Sequence, residues 1–311
     1  MDMEQLRGRD FIDLADFTSD DVNNLLALAK DLKQKQKNGE PFQPLRGKTL
    51  GMIFDKSSTR TRVSFEVGMF QLGGHALFLS GNDSQLGRGE TIADTARVLS
   101  RYVDGIMIRT YSHQAVREMA EYASVPVINA LTDLHHPCQV LADLLTIKEY
   151  KGSLSGLTVA YVGDGNNMAH SWLVGAPLAG LNMRVASPEG YMPTAQVIDE
   201  AKQLAAKAGT NVWIGTDPLE AVYGADVIYT DTWTSMGQEA ERAERLAAFA
   251  NYQVNEVLCG KAKPDFLFMH CLPAHHGEEV TADVFEGKHS VVFDEAENRL
   301  HAQKAIMAAM M

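Results

Sequence analysis

The chain has 311 residues, 45% of them apolar, and 28 Lys and Arg against 40 Asp and Glu give it a formal charge of −12. That balance excludes a disordered or low-complexity chain, and at this length one core is usually too small, so two domains of about 130–170 residues are expected. Net acidity argues against nucleic acid as the main partner, although a local pocket of Arg can oppose the global charge and take a small anion.

Short β-rich runs alternate with amphipathic stretches. In chain order the strand candidates are TLGMIF (49–54), HALFLS (75–80), GIMIRT (105–110) and VPVINA (125–130), then LTVAYVG (157–163), MRVAS (183–187), NVWIGT (211–216), DVIYTD (226–231), DFLFMHC (265–271) and SVVFD (290–294). Helix candidates between them include 62–72, 91–103, 113–123, 139–150, 194–208, 239–250 and the tail 297–311. Strands separated by helices imply βαβ units, hence an α/β chain of parallel sheets covered on both faces. Four strands precede residue 131 and the rest follow 156, so helix 139–150 is expected to cross from one domain to the other.

Three Cys, at 138, 259 and 271, form no CxxC pair, which fits a reducing compartment. The opening residues lack a basic segment followed by an apolar one, and no run of about 18 apolar residues occurs. A cytoplasmic protein without a membrane span is expected.

Ligands of such sheets bind beyond the carboxyl ends of the strands. After the first strand come Ser58, Thr59, Arg60, Thr61 and Arg62 at a helix start, where capping hydroxyls, free N–H groups and two Arg suit a phosphate. Arg109 ends the third strand on the same side and offers a second phosphate contact. His136 and Gln139 flank Pro137 at another helix entrance and suit a carbonyl and an amino group, with a plain capped helix as the alternative. Asp231 ends a later strand and leads into Ser235-Met236-Gly237, a loop suited to a cationic ligand.

Three other readings fail on spacing. Gly163-Asp164-Gly165 starts a dinucleotide turn, but Met168 stands at the third glycine position. Gly47-Lys48-Thr49 mimics a P-loop end, but Phe42 stands where its first Gly belongs. His270 and Cys271 invite zinc, yet adjacent strand residues point opposite ways and no further ligand pair completes four, so no metal and no cofactor are expected. A cysteine thiol beside a pocket is the more economical reading.

Together these segments resemble the ornithine branch of the aspartate/ornithine transcarbamylase family. The resemblance rests on Ser58-Thr59-Arg60-Thr61-Arg62, Asp83-Ser84-Gln85-Leu86-Gly87-Arg88-Gly89-Glu90, His136-Pro137-Cys138-Gln139, Asp231 with Ser235-Met236-Gly237, and His270-Cys271-Leu272-Pro273. The first and third are shared with the aspartate enzymes. The last two discriminate, because the aspartate enzymes typically carry His-Pro-Leu-Pro-Arg where this chain has His-Cys-Leu-Pro, and lack the Ser-Met-Gly loop.

The resemblance implies two domains: residues 1–134 for carbamoyl phosphate with the tail 297–311 packing back on them, 151–290 for ornithine, and 135–150 as the linking helix. It implies transfer of a carbamoyl group to the δ-amine of L-ornithine in a homotrimer with shared sites. Ser58, Thr59, Arg60, Thr61 and Arg109 would hold the phosphate, and His136 and Gln139 the carbamoyl group. Gln85 would come from a neighbouring subunit. Asn167, Asp231, Ser235 and Met236 would bind ornithine, Cys271 and Leu272 would contact both reactants, and Arg299 would reach back from the tail helix. Whether Cys271 acts as a base or only as a hydrogen-bond partner stays open at this level.

Overall fold

Apolar runs of four to six residues, most of them buried, are the units from which this chain builds two sheets. In the computed structural model, which describes residues 4–81, 89–235 and 237–311, the strands are β1 (Thr49–Phe54), β2 (His75–Ser80), β3 (Gly105–Arg109), β4 (Val127–Leu131), β5 (Thr158–Val162), β6 (Asn182–Ala186), β7 (Val212–Gly215), β8 (Val227–Thr230) and β9 (Leu267–His270). Every residue of β3, β5, β8 and β9 is buried, as a parallel sheet covered by helices requires. The helices are α1 (Ser19–Lys37), α2 (Thr59–Gln71), α3 (Ile92–Leu99), α4 (His113–Tyr122), α5 (Pro137–Lys151), α6 (Asn167–Leu178), α7 (Ala195–Ala208), α8 (Pro218–Val222), α9 (Arg242–Ala248), α10 (Glu256–Cys259), α11 (Ala282–Phe285) and α12 (Val292–Met310). No helix of the described residues is long and apolar enough to cross a membrane.

The chain divides into two compact units: residues 1–145 with 297–311, and residues 146–296. The first holds a four-stranded sheet of order β2-β1-β3-β4 and the second a five-stranded sheet of order β7-β6-β5-β8-β9. All pairings are parallel, so the expected α/β architecture of two parallel sheets holds. The boundaries fall inside α5 and α12. Within the first unit the last part of α12 is tied down by the Lys33 ammonium, which donates to Asn298 Oδ1 at 2.7 Å, and by Gly8 N–H, which donates to the Met310 carbonyl at 2.8 Å.

One strand expectation fails. Residues 290–294 do not pair as a strand: Ser290 makes an isolated bridge to Phe268, and α12 begins at Val292. The apolar run Val291-Val292-Phe293 is too short to fix a period. The acidic residues Asp294 and Glu295 that follow it sit in the first helical turn, where the helix dipole favours negative charge. Glu295 is buried there and accepts hydrogen bonds from His270 N–H at 2.9 Å and Tyr229 O–H at 3.2 Å.

Parallel strands place all their carboxyl ends along one edge of each sheet. In the first unit that edge carries residues 55–58, 109–110 and 132–136. In the second it carries 163–166, 231–235 and 271–272.

Candidate active site

At the carboxyl edge of the first sheet, Ser58 caps α2, its hydroxyl accepting from Thr61 N–H at 3.2 Å. Such a cap stabilises a helix by about 1 kcal/mol and fixes the first turn, whose remaining N–H groups and dipole face an anion. Thr59 is exposed and Arg60 half-buried on that turn, and the buried Arg60 Nε has no hydrogen-bond partner among the described residues. Thr61 is fully buried, and its Oγ1 accepts from Arg299 Nη2 at 2.7 Å and Arg109 Nη1 at 3.4 Å. Two guanidiniums from β3 and α12 thus share one neutral hydroxyl, and both are buried. Arg62 does not join them. It pairs with Glu66 at 2.9 Å and lies over the Phe78 ring at 3.8 Å, because the step of two residues from Arg60 turns it about 200° around α2.

His136 is buried beside these cations. Burial above all, then the charges of Arg299, Arg109 and Arg60, hold its imidazole well below the ordinary histidine value. It is neutral at physiological pH and presents a donor without adding charge. Gln139, one turn into α5 and fully buried, donates to Asp143 Oδ1 at 2.8 Å. The loop that presents His136 is stitched from below: His135 Nε2 meets Asp13 Oδ2 at 2.9 Å, and Thr132 Oγ1 accepts from the N–H groups of Leu134 and His135. Lys56, which sequence reasoning missed, ion-pairs with Asp133 and lies 4.3 Å from the Tyr111 ring centroid, joining the phosphate-type loop to the His136 loop.

At the carboxyl edge of the second sheet the charge is reversed. Asp231 is buried; its Oδ1 accepts from Cys271 Sγ at 3.1 Å and from Thr232 N–H at 2.8 Å, and its Oδ2 from Asn166 Nδ2 at 2.8 Å. The thiol points its proton at a carboxylate, and a thiolate there would face a like charge at the same distance. Asn166 is the N-cap of α6, its Oδ1 taking the N–H groups of Met168 and Ala169. It also donates from Nδ2 to Asp231, a contact that sequence reasoning missed. Asn167 lies half-buried at the start of α6, its carbonyl accepting from Ser171 Oγ at 2.7 Å. The overlooked signal was an Asn immediately before a helical run.

His270 and Cys271 do not point opposite ways, because β9 ends at His270 and strand alternation ends with it. Asp231, His270 and Cys271 bring ligand-type atoms within 4.8 Å of one another. The His270 ring is already committed: Nδ1 accepts from Leu272 N–H at 2.9 Å, so the proton sits on Nε2 and is donated to Glu279 Oε1 at 3.2 Å. That leaves the imidazole no lone pair for a metal. Burial pushes the Glu279 carboxyl up, but the bonds from His270 and His275 N–H prevail and hold it below its usual range. Leu272 sits at φ 61°, a left-handed conformation costing about 1–3 kcal/mol in a non-glycine residue, and its N–H bond to His270 holds it there.

Ser235 turns over Gln238: its N–H donates to Gln238 Oε1 at 3.1 Å and its carbonyl accepts from Gln238 N–H at 3.0 Å. Gly237 has φ 95°, which only glycine adopts without strain. Arg245 anchors the loop, Nη1 donating to Asp164 Oδ2 at 2.9 Å and to the Trp233 carbonyl at 3.0 Å, and Nε to Glu241 at 2.9 Å. Gln85 and Met236 lie outside the described residues.

The aspartate/ornithine carbamoyltransferase profiles match the chain, the carbamoyl-P binding domain over residues 9–149 and the Asp/Orn binding domain over 155–310. The ornithine carbamoyltransferase of Anoxybacillus flavithermus is 61% identical over 99% of this chain and 98% of its own length, and that of Bacillus subtilis 59% identical over 98% and 95%. The solved ornithine carbamoyltransferase of Pyrococcus furiosus superposes with a TM-score of 0.96 at 58% identity, covering 98% of both chains. Matches of that extent leave no part of either unit unaccounted for, and the chain belongs to the aspartate/ornithine carbamoyltransferase family.

Proposed function

We propose that this chain transfers the carbamoyl group of carbamoyl phosphate to the δ-amine of L-ornithine, giving L-citrulline and phosphate. The observation that carries the reading is the buried, unpartnered Arg60 Nε at a helix N-terminus, grouped with Arg109, Arg299 and a neutral His136 in a chain of net charge −12. Ser58, Thr59, Arg60, Thr61 and Arg109 take the phosphate. His136 and Gln139 take the carbamoyl carbonyl and amide, and Arg299 holds Thr61 and the carbonyl side of the ligand. Gln85 reaches the site of a neighbouring subunit. Asp231 with Asn167, Ser235 and Met236 takes the ornithine, and Cys271 and Leu272 complete the contacts. Residues 1–134 and the tail thus serve carbamoyl phosphate and 151–290 serve ornithine.

An alkyl ammonium ionises near the lysine value, so only one amine in about 10³ is free at pH 7. Only that free amine attacks the carbamoyl carbon. The new N–C bond forms, the C–O bond to phosphate breaks, and the nitrogen sheds a proton. Asp231 holds the amine and favours its delivery, with the protonated Cys271 thiol orienting the carboxylate. Rate comes from holding both reactants and from preorganised donors on the carbonyl oxygen, namely Thr61, Arg109 and His136. Arg60 balances the charge on the departing phosphate. No covalent enzyme intermediate is needed.

The homotrimer is part of the proposal. On α2, Val63, Val67 and Phe70 are 51%, 37% and 78% exposed at helical spacing. Such an apolar stripe fits a second copy of the chain. A cytoplasmic setting suits the three cysteines, each a free thiol. The deciding experiment is citrulline formation from carbamoyl phosphate with L-ornithine, L-aspartate, N-acetylornithine and putrescine in parallel. Turnover with ornithine alone is expected. Turnover with another amine would keep the phosphate half and sink the amine half. A folded protein that binds carbamoyl phosphate without turnover would be a binding protein instead.

A further inference from the structure

Away from the strand ends, α1, the loop 39–42 after it, the end of α2 and Lys304 of α12 line an open cavity of about 200 Å³ that carbamoyl transfer does not use. Its lining includes the Lys304 side chain, only 4% exposed, together with Leu32 and Leu72, which are equally buried, and Phe42 at the mouth. Among the described residues the Lys304 ammonium meets no carboxylate within ion-pair distance. Its hydrogen bonds go to two neutral acceptors, Gln36 Oε1 at 2.9 Å and Gln71 Oε1 at 2.8 Å.

Three physical points follow. An ammonium has three N–H donors, and two are spent here. Burying it without a counter-charge is costly, and burial accordingly pulls Lys304 down to about 8. Because lysine can only donate, each glutamine must turn its oxygen to Lys304, which leaves each NH₂ group free to meet a ligand on the lining that both residues share. Neither NH₂ has a partner among the described residues. The Lys304 end of the cavity therefore offers donors and a positive charge, while the carboxylate of Glu40 on the lining accepts from Asn38 Nδ2 at 2.8 Å and lies near Lys35. The other charges on its lining are Lys35 and Glu40; Lys35 pairs with Asp31 at 2.8 Å and also feels the charge of Glu40.

We propose that this cavity binds a small carboxylate carrying an apolar group, its oxygens held by Lys304 and the amide NH₂ groups of Gln36 and Gln71, its apolar part against Leu32, Leu72 and Phe42. The volume suits a chain of about four to six carbons, below the size of a drug-like site, which begins at about 300 Å³. This site is separate from the arginine cluster, where the proposed function puts the phosphate.

The test is a titration of the assembled protein, ¹³C-labelled at leucine methyls, with isovalerate as the probe and inorganic phosphate present throughout to occupy the arginine cluster. The Leu32 and Leu72 methyl signals are expected to shift saturably with isovalerate and to stay in place with isoamyl alcohol, its neutral counterpart. Lys304→Met removes the charge. Gln36→Glu, at an exposed position that leaves the fold intact, supplies an internal carboxylate to Lys304. Each is expected to weaken isovalerate by at least about tenfold, the loss carried by a charge-assisted hydrogen bond. Absence of a saturable shift in the wild type overturns the proposal. So do equal shifts with isoamyl alcohol, shifts of the same signals by phosphate alone, or unchanged isovalerate affinity in Gln36→Glu.

Discussion

At the carboxyl edge of the four-stranded sheet the chain gathers Arg60, Arg109 and Arg299 around Thr61 and His136, whereas at the same edge of the five-stranded sheet it buries Asp231 among Asn166, Thr232 and Cys271. The scaffolds are alike: parallel strands, helices between them, and loops that start with the first residues after a strand. The electrostatics are opposite. Burial above all, with three arginines beside it, keeps an imidazole neutral at the first edge, and at the second a buried carboxylate accepts a hydrogen bond from a thiol. The sheet decides where a side chain emerges, and the few residues after each strand decide what charge is stored there.

The largest effects come from removing the charge that defines each edge. Arg60→Ala is expected to lower kcat/KM by about 10³ and to weaken phosphate affinity, since an oriented charge on the leaving group acts mainly in the transition state. An unaltered kcat/KM would remove Arg60 from the phosphate site. Asp231→Asn is expected to lower kcat/KM for ornithine by about 10² while carbamoyl phosphate binding stays within about twofold. Equal damage to both substrates would break the assignment of one charge to each substrate.

Much of this contrast was legible before the structure. The run TLGMIF reads as a strand because parallel strands are apolar on both faces, and Ser58-Thr59-Arg60 reads as a capped anion site because the cap needs only adjacent residues. What was illegible is what adjacency does not encode. Arg299 meets Thr61 across 238 positions of sequence, and only the family resemblance pointed to it. Arg245 meets Asp164 across 81 positions. Glu279 follows a polar turn that looks like any solvated loop, yet it is fully buried under His270. Asn166 gives no sign in the sequence of its bond to Asp231, 65 positions away. Residues 290–294 failed for a different reason, since three apolar residues carry no period.

The two edges should also respond to acid with opposite signs. In the first unit burial carries His113 and His301 to about 4 and His136 well below 6.5. The unfolded chain takes up these protons near 6.5 and the folded chain resists them, so their contribution is intact above 6.5 and is lost as pH falls toward 4. In the second unit burial raises Asp164 to about 6 against the pull of Arg245. There the folded state binds the proton first, so stability rises as pH falls from 6 toward 3.8. Urea midpoints measured from pH 7 to 4.5 are expected to fall less steeply in His113→Gln than in the wild type, and more steeply in Asp164→Asn. Slopes that change in the same direction in both variants would refute the opposition.

The smallest expected effect isolates the loop of the acidic edge. Arg245 holds Asp164, the Trp233 carbonyl and Glu241 with separate N–H groups of one planar fork. Lysine keeps the charge but concentrates it on one nitrogen, which cannot span three acceptors set around a guanidinium. Arg245→Lys should therefore preserve the fold while loosening residues 233–241, the segment that carries Ser235. A rise of about three- to tenfold in KM for ornithine is expected, with carbamoyl phosphate affinity unchanged. Protonating Asp164 releases the same anchor, so wild-type KM for ornithine should climb as pH falls through about 6, after correction for the protonation of the amine itself. In Asp164→Asn that climb should vanish, with KM already raised at pH 7. If the climb persists in Asp164→Asn, the acid response belongs to another group and Arg245 only braces the fold.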